Sequence, residues 1–142
     1  MGIQLKQLPD GSMGLEGTDK GAGAIVLQDV EWLAASVDKT FFIAPRSLVV
    51  QAITARPTVI GSDGSAVTAV IRKVPSGTAI TSGTALHSGT INLKGTANTN
   101  QTLTLSTTQS DLILAAGDAL AIDFTGTLTA ATGCAVVAMT PA

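Results

Sequence analysis

The 142-residue sequence has few of the side chains from which catalytic and cofactor sites are built. It contains one cysteine, Cys134, and one histidine, His87. A single cysteine excludes an internal disulfide framework, and one histidine with one cysteine falls short of the ligands that zinc needs. No Asp-x-Asp-x-Asp-Gly loop is present for calcium, and no Gly-x-Ser-x-Gly sequence supports a hydrolase that uses His87. We therefore expect no catalytic residues, no metal, no cofactor and no enzymatic activity.

Charged and aromatic residues are also scarce. Charged residues make up 13% of the chain, against about 25% in an average protein. The formal net charge is −2, and Arg72-Lys73 is the only adjacent basic pair, so the clustered cations that bind nucleic acid are missing. No apolar run approaches the roughly 20 residues of a membrane span, and no secretory leader is recognisable at the start. We expect neither nucleic acid nor a membrane among the partners.

What the chain does contain is a series of short segments that alternate polar and apolar residues. The segments 102–106 and 119–125 alternate without a break, which places Leu103 with Leu105, and Leu120 with Ile122, on one face of a strand. Glycine-containing turns separate such segments along the chain. Eight or nine strands of this kind predict an all-β fold, an antiparallel β-sandwich of jelly-roll type.

Several local patterns refine this prediction. Asp63-Gly64 predicts a tight hairpin between strands at 47–55 and 66–74, and Pro57 marks a sheet edge or a bulge. The triplet Ser-Gly-Thr recurs every six residues between 76 and 90. A left-handed β-helix would explain this period, but short strands and turns are the favoured interpretation because neither flank continues it.

Other residues were assigned by their surroundings. Residues 29–38 fit either a short helix or a strand, and strand or irregular structure is preferred because β-structure follows. Cys134 lies in an apolar run and is expected to be a small core residue. Trp32, the only tryptophan, is expected to pack in the core, with a partner contact as the alternative. Asp118 is expected to form a turn, and Asp123 to face the polar side of its strand.

Residues 1–24 differ from the rest of the chain. Glycine punctuates them and apolar residues are sparse, so this segment has little reason to fold alone. We expect an extended, glycine-rich N-terminal arm over 1–24 and a jelly-roll domain over 25–142. The arm is either disordered or becomes ordered on a partner, in which case Leu5, Leu8 and Leu15 would be its anchors. Together with Trp32, these leucines are the predicted partner-binding residues.

The C-terminal half resembles a known class of proteins. The segment from Asp111 to Gly126, with Thr132-Gly133 and the strand that runs to Pro141, resembles small head proteins of tailed bacteriophages, and so does the segment 72–78. These are the cement, or decoration, proteins of the capsid, and the resemblance spans about residues 40–141. It implies a jelly-roll module on the outside of the virion that binds the major capsid protein and stabilises the shell.

Two further expectations accompany the resemblance. The protein is made in the cytoplasm of the bacterial host and self-associates as a homo-oligomer, a dimer in preference to a trimer because closed two-fold assemblies are the commonest. The alternative function is a receptor-binding or carbohydrate-binding β-sandwich of a tail fibre. That alternative predicts an exposed aromatic cluster from Trp32, Phe41 or Phe42.

Overall fold

The structure, a computed structural model, describes residues 4–7, 13–16 and 24–142. The described residues form twelve strands and two short 3₁₀ turns, the turns at Ile80–Ser82 and Gln109–Leu112. The strands are β1 (Gln4–Gln7), β2 (Met13–Glu16), β3 (Val26–Trp32), β4 (Lys39–Ile43), β5 (Leu48–Val59), β6 (Thr68–Val74), β7 (Thr84–Ala85), β8 (Ile91–Asn92), β9 (Gln101–Thr102), β10 (Ile113–Leu114), β11 (Ala119–Thr125) and β12 (Thr132–Pro141). Within these residues, no helix is long and apolar enough to cross a membrane.

Ten of the strands form two antiparallel sheets. Sheet 1 has the order β3-β12-β5-β10, with β9 also paired to β5. Sheet 2 has the order β4-β11-β6-β7, with β8 also paired to β6. The chain alternates between the sheets from β3 to β6 and again from β10 to β12, which is the winding of a jelly roll. The predicted all-β antiparallel sandwich is therefore confirmed.

Alternating apolar side chains from the two sheets fill the core. On β11, Leu120 and Ile122 have no exposed surface, which confirms the face predicted from their spacing. On β12, Ala135, Val137 and Met139 are likewise fully buried. The period-two pattern thus places one face of each long strand in the interior, where burial of each large aliphatic side chain contributes about 1.5–3 kcal/mol.

Trp32, at the end of β3, is the largest fully buried side chain. It packs across Gly133 on the paired strand β12, where an added Cβ would lie 2.5 Å from the indole Cζ2 atom. A glycine is needed at this position because any side chain would displace the ring. The structure shows the expected core role of Trp32, and its role in partner binding stays a prediction.

The N-terminal segment contains a hairpin. β1 and β2 pair as an antiparallel two-stranded sheet, with Leu5 opposite Leu15 in the register. Both strands lie within the N-terminal arm predicted over residues 1–24. Leu8 lies outside the described residues.

The hairpin predicted at Asp63-Gly64 is wrong. β5 belongs to sheet 1 and β6 to sheet 2, so residues 60–67 cross from one sheet to the other. Backbone hydrogen bonds hold this crossover to other loops, from Gly61 N–H to the Leu93 carbonyl and from Ser62 N–H to the Thr129 carbonyl, both at 2.9 Å. Each of the two strands buries one face against the opposite sheet, and this burial outweighs the local preference of Asp-Gly for a tight turn.

The strand predicted over residues 101–106 is also interrupted. Leu103 N–H donates to the Ile53 carbonyl in sheet 1, whereas Ser106 N–H donates to the Leu86 carbonyl next to sheet 2. Leu103 and Leu105 still pack against the core. The alternation therefore identified the buried face, but the segment passes between two sheets and forms only the short strand β9.

Two other local predictions are confirmed and one is wrong. The register of β12 with β5 shifts between Thr132 and Gly133, beside Pro57, so the proline marks a bulge. The first and last Ser-Gly-Thr triplets lie in turns and bends, and the middle one leads from a 3₁₀ turn into the short strand β7, as favoured over a β-helix. Cys134, expected in the core, is half-buried instead, because it alternates with the buried Ala135 and faces outward from sheet 1.

Candidate functional surface

Several acidic side chains of the described domain serve the fold at separate positions. Asp123 accepts a hydrogen bond from Arg72 Nε at 2.7 Å across β11 and β6, in a partly buried ion pair. Asp111 accepts one from the Ser106 hydroxyl at 2.6 Å. Asp118 accepts one from Ala115 N–H at 2.9 Å, as expected of a turn residue. In the part of the chain that the structure describes, no three His, Cys, Asp or Glu side chains are close enough to hold a metal ion.

His87 is buried and both of its ring nitrogens face backbone groups. Nε2 accepts a hydrogen bond from Ile71 N–H at 3.1 Å, and Nδ1 lies 3.2 Å from the Ser88 carbonyl. This pattern requires the neutral ring with its proton on Nδ1. Desolvation by burial lowers the pKa of His87, and the nearby Arg72 charge acts in the same direction. The ring completes the backbone pairing of β6 and is 4% exposed.

The aromatic residues do not form an exposed cluster. Trp32 has no exposed surface, and Phe41 and Phe42 are partly buried and packed against the core. The exposed rings that the tail-fibre alternative predicted from these three residues are therefore absent from the described domain. Sugar recognition by stacking on open aromatic faces has no basis at these positions.

The loop between β3 and β4, residues 33–38, presents two apolar side chains to solvent. Leu33 is 61% exposed and Val37 is 74% exposed. The loop is held in one conformation by a reciprocal pair of bonds: Leu33 N–H donates to the Ser36 hydroxyl, and Ser36 N–H donates to the Leu33 carbonyl, both at 2.9 Å. Asp38 also accepts a hydrogen bond from Phe124 N–H at 2.7 Å. We call residues 33–38 the apical loop.

A cleft lies on each side of the apical loop. The first, of about 330 Å³, is lined by Trp32, Leu33, Thr58, Thr132 and Gly133 among others. The second, of about 500 Å³, lies beside Val37 and is lined also by Phe124 and Leu128. The loop thus presents two exposed apolar side chains, is fixed by hydrogen bonds and has a cleft on either side. Such a surface is suited to contact with another protein.

Sequence reasoning missed the apical loop. Strand or irregular structure was preferred over residues 29–38, which fits a strand that ends at Trp32, but no motif marks residues 33–38 as a separate loop. The one available signal was that Leu33 and Val37 flank the small, polar segment Ala34-Ala35-Ser36, which is typical of a turn. The predicted anchors Leu5 and Leu15 lie in β1 and β2, respectively. Their role in binding stays a prediction.

Comparison with known proteins identifies similar folds. No protein-family model matches the sequence, and no curated protein matches it either. A chain in the solved structure of the cyanophage Pam1 capsid asymmetric unit matches with a TM-score of 0.54 and 13% sequence identity, over 84% of this chain and 84% of that chain. The two chains share a fold.

Two other solved structures match more weakly. A chain of the infectious bursal disease virus Gx strain matches with a TM-score of 0.41 and 12% identity, over 94% of this chain and 35% of that chain. A chain of the Bacillus endospore appendages, a family of disulfide-linked pili, matches with a TM-score of 0.36 and 18% identity, over 83% of this chain and 89% of that chain. These two similarities carry no argument about function.

Proposed function

We propose that this protein is a structural, non-enzymatic component of a virion, a cement protein that binds the major capsid protein on the outside of a phage head. The observation that carries the proposal is the fold shared with a chain of the cyanophage Pam1 capsid asymmetric unit over most of both chains. The resemblance of residues 40–141 to phage cement proteins supports the same role.

The apical loop is the surface that we assign to the shell contact. Leu33 and Val37 bury little surface in the isolated chain, so their removal from water on docking stabilises the complex. Full burial of a side chain of this size contributes about 1.5–3 kcal/mol. The hydrogen bonds within the loop and to Asp38 hold these residues in place beforehand, which reduces the entropy lost on binding.

A modest affinity per copy is sufficient for such a role. Many identical sites on one shell allow linked copies to bind cooperatively through a raised effective concentration. The low charge of the chain suits an interface core, from which charged residues are depleted. A braced apolar loop on a stiff β-sandwich would then hold neighbouring shell subunits together.

The test uses capsids that lack this protein, to which purified protein is added back. We expect the wild-type chain to bind and to raise the temperature at which the shells open. Replacing Leu33 and Val37 together with aspartate should weaken binding about tenfold or more, because one lost apolar contact of about 1.4 kcal/mol already corresponds to a factor of ten.

Ile43→Asp is the matched control. Ile43 is 65% exposed, as open as Leu33, but it lies at the far end of β4 from the apical loop. This variant should bind capsids like the wild-type chain. Failure of the wild-type chain to bind would overturn the proposed function, and equal losses from both variants would overturn the assignment to the apical loop.

A further inference from the structure

In the part of the chain that the structure describes, the outer face of sheet 1 is exposed, and many of its side chains are small. Its centre is β12, where Cys134, Val136 and Ala138 alternate with fully buried residues and therefore point away from the core. Neighbouring strands cover them only at the sides. A sheet face of this kind is able to pack against another sheet, at the spacing of about 10 Å seen in sandwiches.

The strand register arranges the outward residues in rows across this face. At one end, Cys134 pairs with Glu31 on β3 and with Arg56 on β5. Two strand spacings of about 4.8 Å separate Glu31 from Arg56, with Cys134 between them. This end of the face therefore carries an acidic residue on one side of the central strand and a basic residue on the other.

The opposite end of the same face is apolar. Ala138 pairs with Leu27 on β3 and Ala52 on β5, and Thr140 pairs with Val49 on β5. Leu27 is 64% exposed, and Ile113, which pairs with Val49 from β10, is 42% exposed. One face thus combines an apolar end with a charged end whose two signs are separated by the central strand. The row between the two ends carries the exposed Asp29 on β3, opposite Val136, with Thr54 on the other side.

This arrangement is complementary to itself. A two-fold axis parallel to β12 and lying above it brings each row over the same row of a second copy, with the left and right sides exchanged. Glu31 of each copy then faces Arg56 of the other, and Leu27 faces Ala52. The apolar ends meet each other, as an isologous interface requires.

We propose that a second copy of this chain docks on the outer face of sheet 1, related by a two-fold axis parallel to β12. An axis across the strands would place the charged end of one copy on the apolar end of the other, which desolvates Glu31 and Arg56 without partners. The charge pattern therefore selects the parallel axis. The inference goes beyond the proposed function, since it concerns the purified chain alone.

The size of the face suits a dimer of moderate affinity. With the axis above β12, the strands that overlap are β3, β12 and β5. They span about 14 Å, and the ten residues of β12 span about 33 Å, which gives roughly 500 Å² per copy. A stable interface of standard size buries about 800 Å² per partner. A dimer on this face would be concentration-dependent, and two charge pairs at one end would contribute to its specificity.

Charge reversal tests the pairing by sedimentation velocity. We expect the wild-type chain to dimerise with rising concentration, and Glu31→Arg or Arg56→Glu to weaken the dimer at least tenfold by placing like charges opposite each other. The double variant should restore dimerisation, because both pairs are re-formed with reversed signs. Arg46→Glu, an exposed arginine in the loop between β4 and β5, is the matched control and should leave the dimer intact.

The single cysteine reports on the axis. Cys134 lies on the central strand, so the two copies should place their Cα atoms opposite each other, about 10 Å apart across the sheets, with both thiols in the space between. A bismaleimide of that span should link them, whereas direct oxidation should not, since a disulfide needs Cα atoms within about 7 Å. Moving the only cysteine to the second cleft, with Cys134→Ser and Thr127→Cys, should abolish the cross-link.

The proposal fails if the chain stays monomeric at all concentrations or if the double charge reversal does not restore the dimer. It also fails if a dimer forms that Cys134 cannot cross-link. A dimer with these properties would stand even if the protein did not bind capsids, so this result is separate from the test of the proposed function.

Discussion

At the scale of single residues, His87 shows how a group with catalytic potential is used for structure. The β6 strand lacks a backbone acceptor for Ile71 N–H, and the imidazole Nε2 takes that place. The spacing of residues in the sequence does not show this, because residues 71 and 87 meet only when the chain after β6 folds back along its edge. The absence of a catalytic role for this lone histidine stays a prediction, and its structural partner was not predictable from the sequence.

The buried ring predicts a pH dependence of stability. The pKa of His87 is lowered below the ordinary value of 6.5 by burial, whereas in the unfolded chain it returns to that value. Below pH 6.5 the unfolded state therefore binds more protons, and the free energy of unfolding should fall as the pH drops, by at most about 1.4 kcal/mol per pH unit. Above pH 6.5 His87 should contribute no slope.

Urea unfolding between pH 7.5 and 5.5 measures this effect, since most carboxylates titrate lower. His87→Gln keeps an acceptor for Ile71 N–H but removes the titration, so its stability should be flat over this range. An equal slope in this variant would assign the pH dependence to other groups.

At the scale of elements, lysine side chains hold two connecting segments that local sequence preference did not predict. Lys94 Nζ donates to the carbonyls of Asp63 and Ser65, at 2.5 and 3.0 Å, and so ties down the connection between β5 and β6. Lys73 Nζ donates to the carbonyls of Ser110 and Ile113, at 2.7 and 3.0 Å, next to the 3₁₀ turn before β10. Both contacts join segments more than 25 residues apart, beyond the reach of a turn motif.

Hydrogen exchange should separate the two tethers. Lys94→Met should speed amide exchange about fivefold in residues 61–67, for a loss of about 1 kcal/mol from these exposed charged hydrogen bonds. Lys73→Met should do the same for residues 109–113. Each variant is the control of the other, and a uniform increase across the domain in either would show global rather than local destabilisation.

At the scale of the whole molecule, the two proposals fit one geometry. An axis parallel to β12 keeps the direction of the strands, so both apical loops of the dimer lie at the same end. A dimer would therefore present Leu33 and Val37 twice toward one surface. Docking of the second loop becomes intramolecular and gains from a raised effective concentration.

Dimerisation should accordingly strengthen capsid binding. Arg56→Glu leaves the apical loop unchanged, so each copy should keep its own affinity while occupancy of the shell at low concentration falls severalfold. The double variant with Glu31→Arg should recover wild-type occupancy. Binding curves on capsids that lack the protein measure this, and an unchanged curve for the single variant would separate shell binding from the dimer.

The sequence by itself determined the class of the fold and the buried faces. Alternation placed Leu120 and Ile122 in the interior before any partner strand was known, because side-chain direction along a strand is a local property. The near absence of histidine, cysteine and clustered charge likewise pointed to a role in shape and surface.

Only the tertiary structure decided which strands pair and which residues lie side by side on the outer faces of the sheets. Asp63-Gly64 was compatible with a hairpin, but burial against both sheets separated β5 from β6. The row Glu31, Cys134 and Arg56 joins three distant parts of the chain on neighbouring strands. Strand pairing is chosen by the burial of whole faces over long sequence separations, which no local pattern encodes.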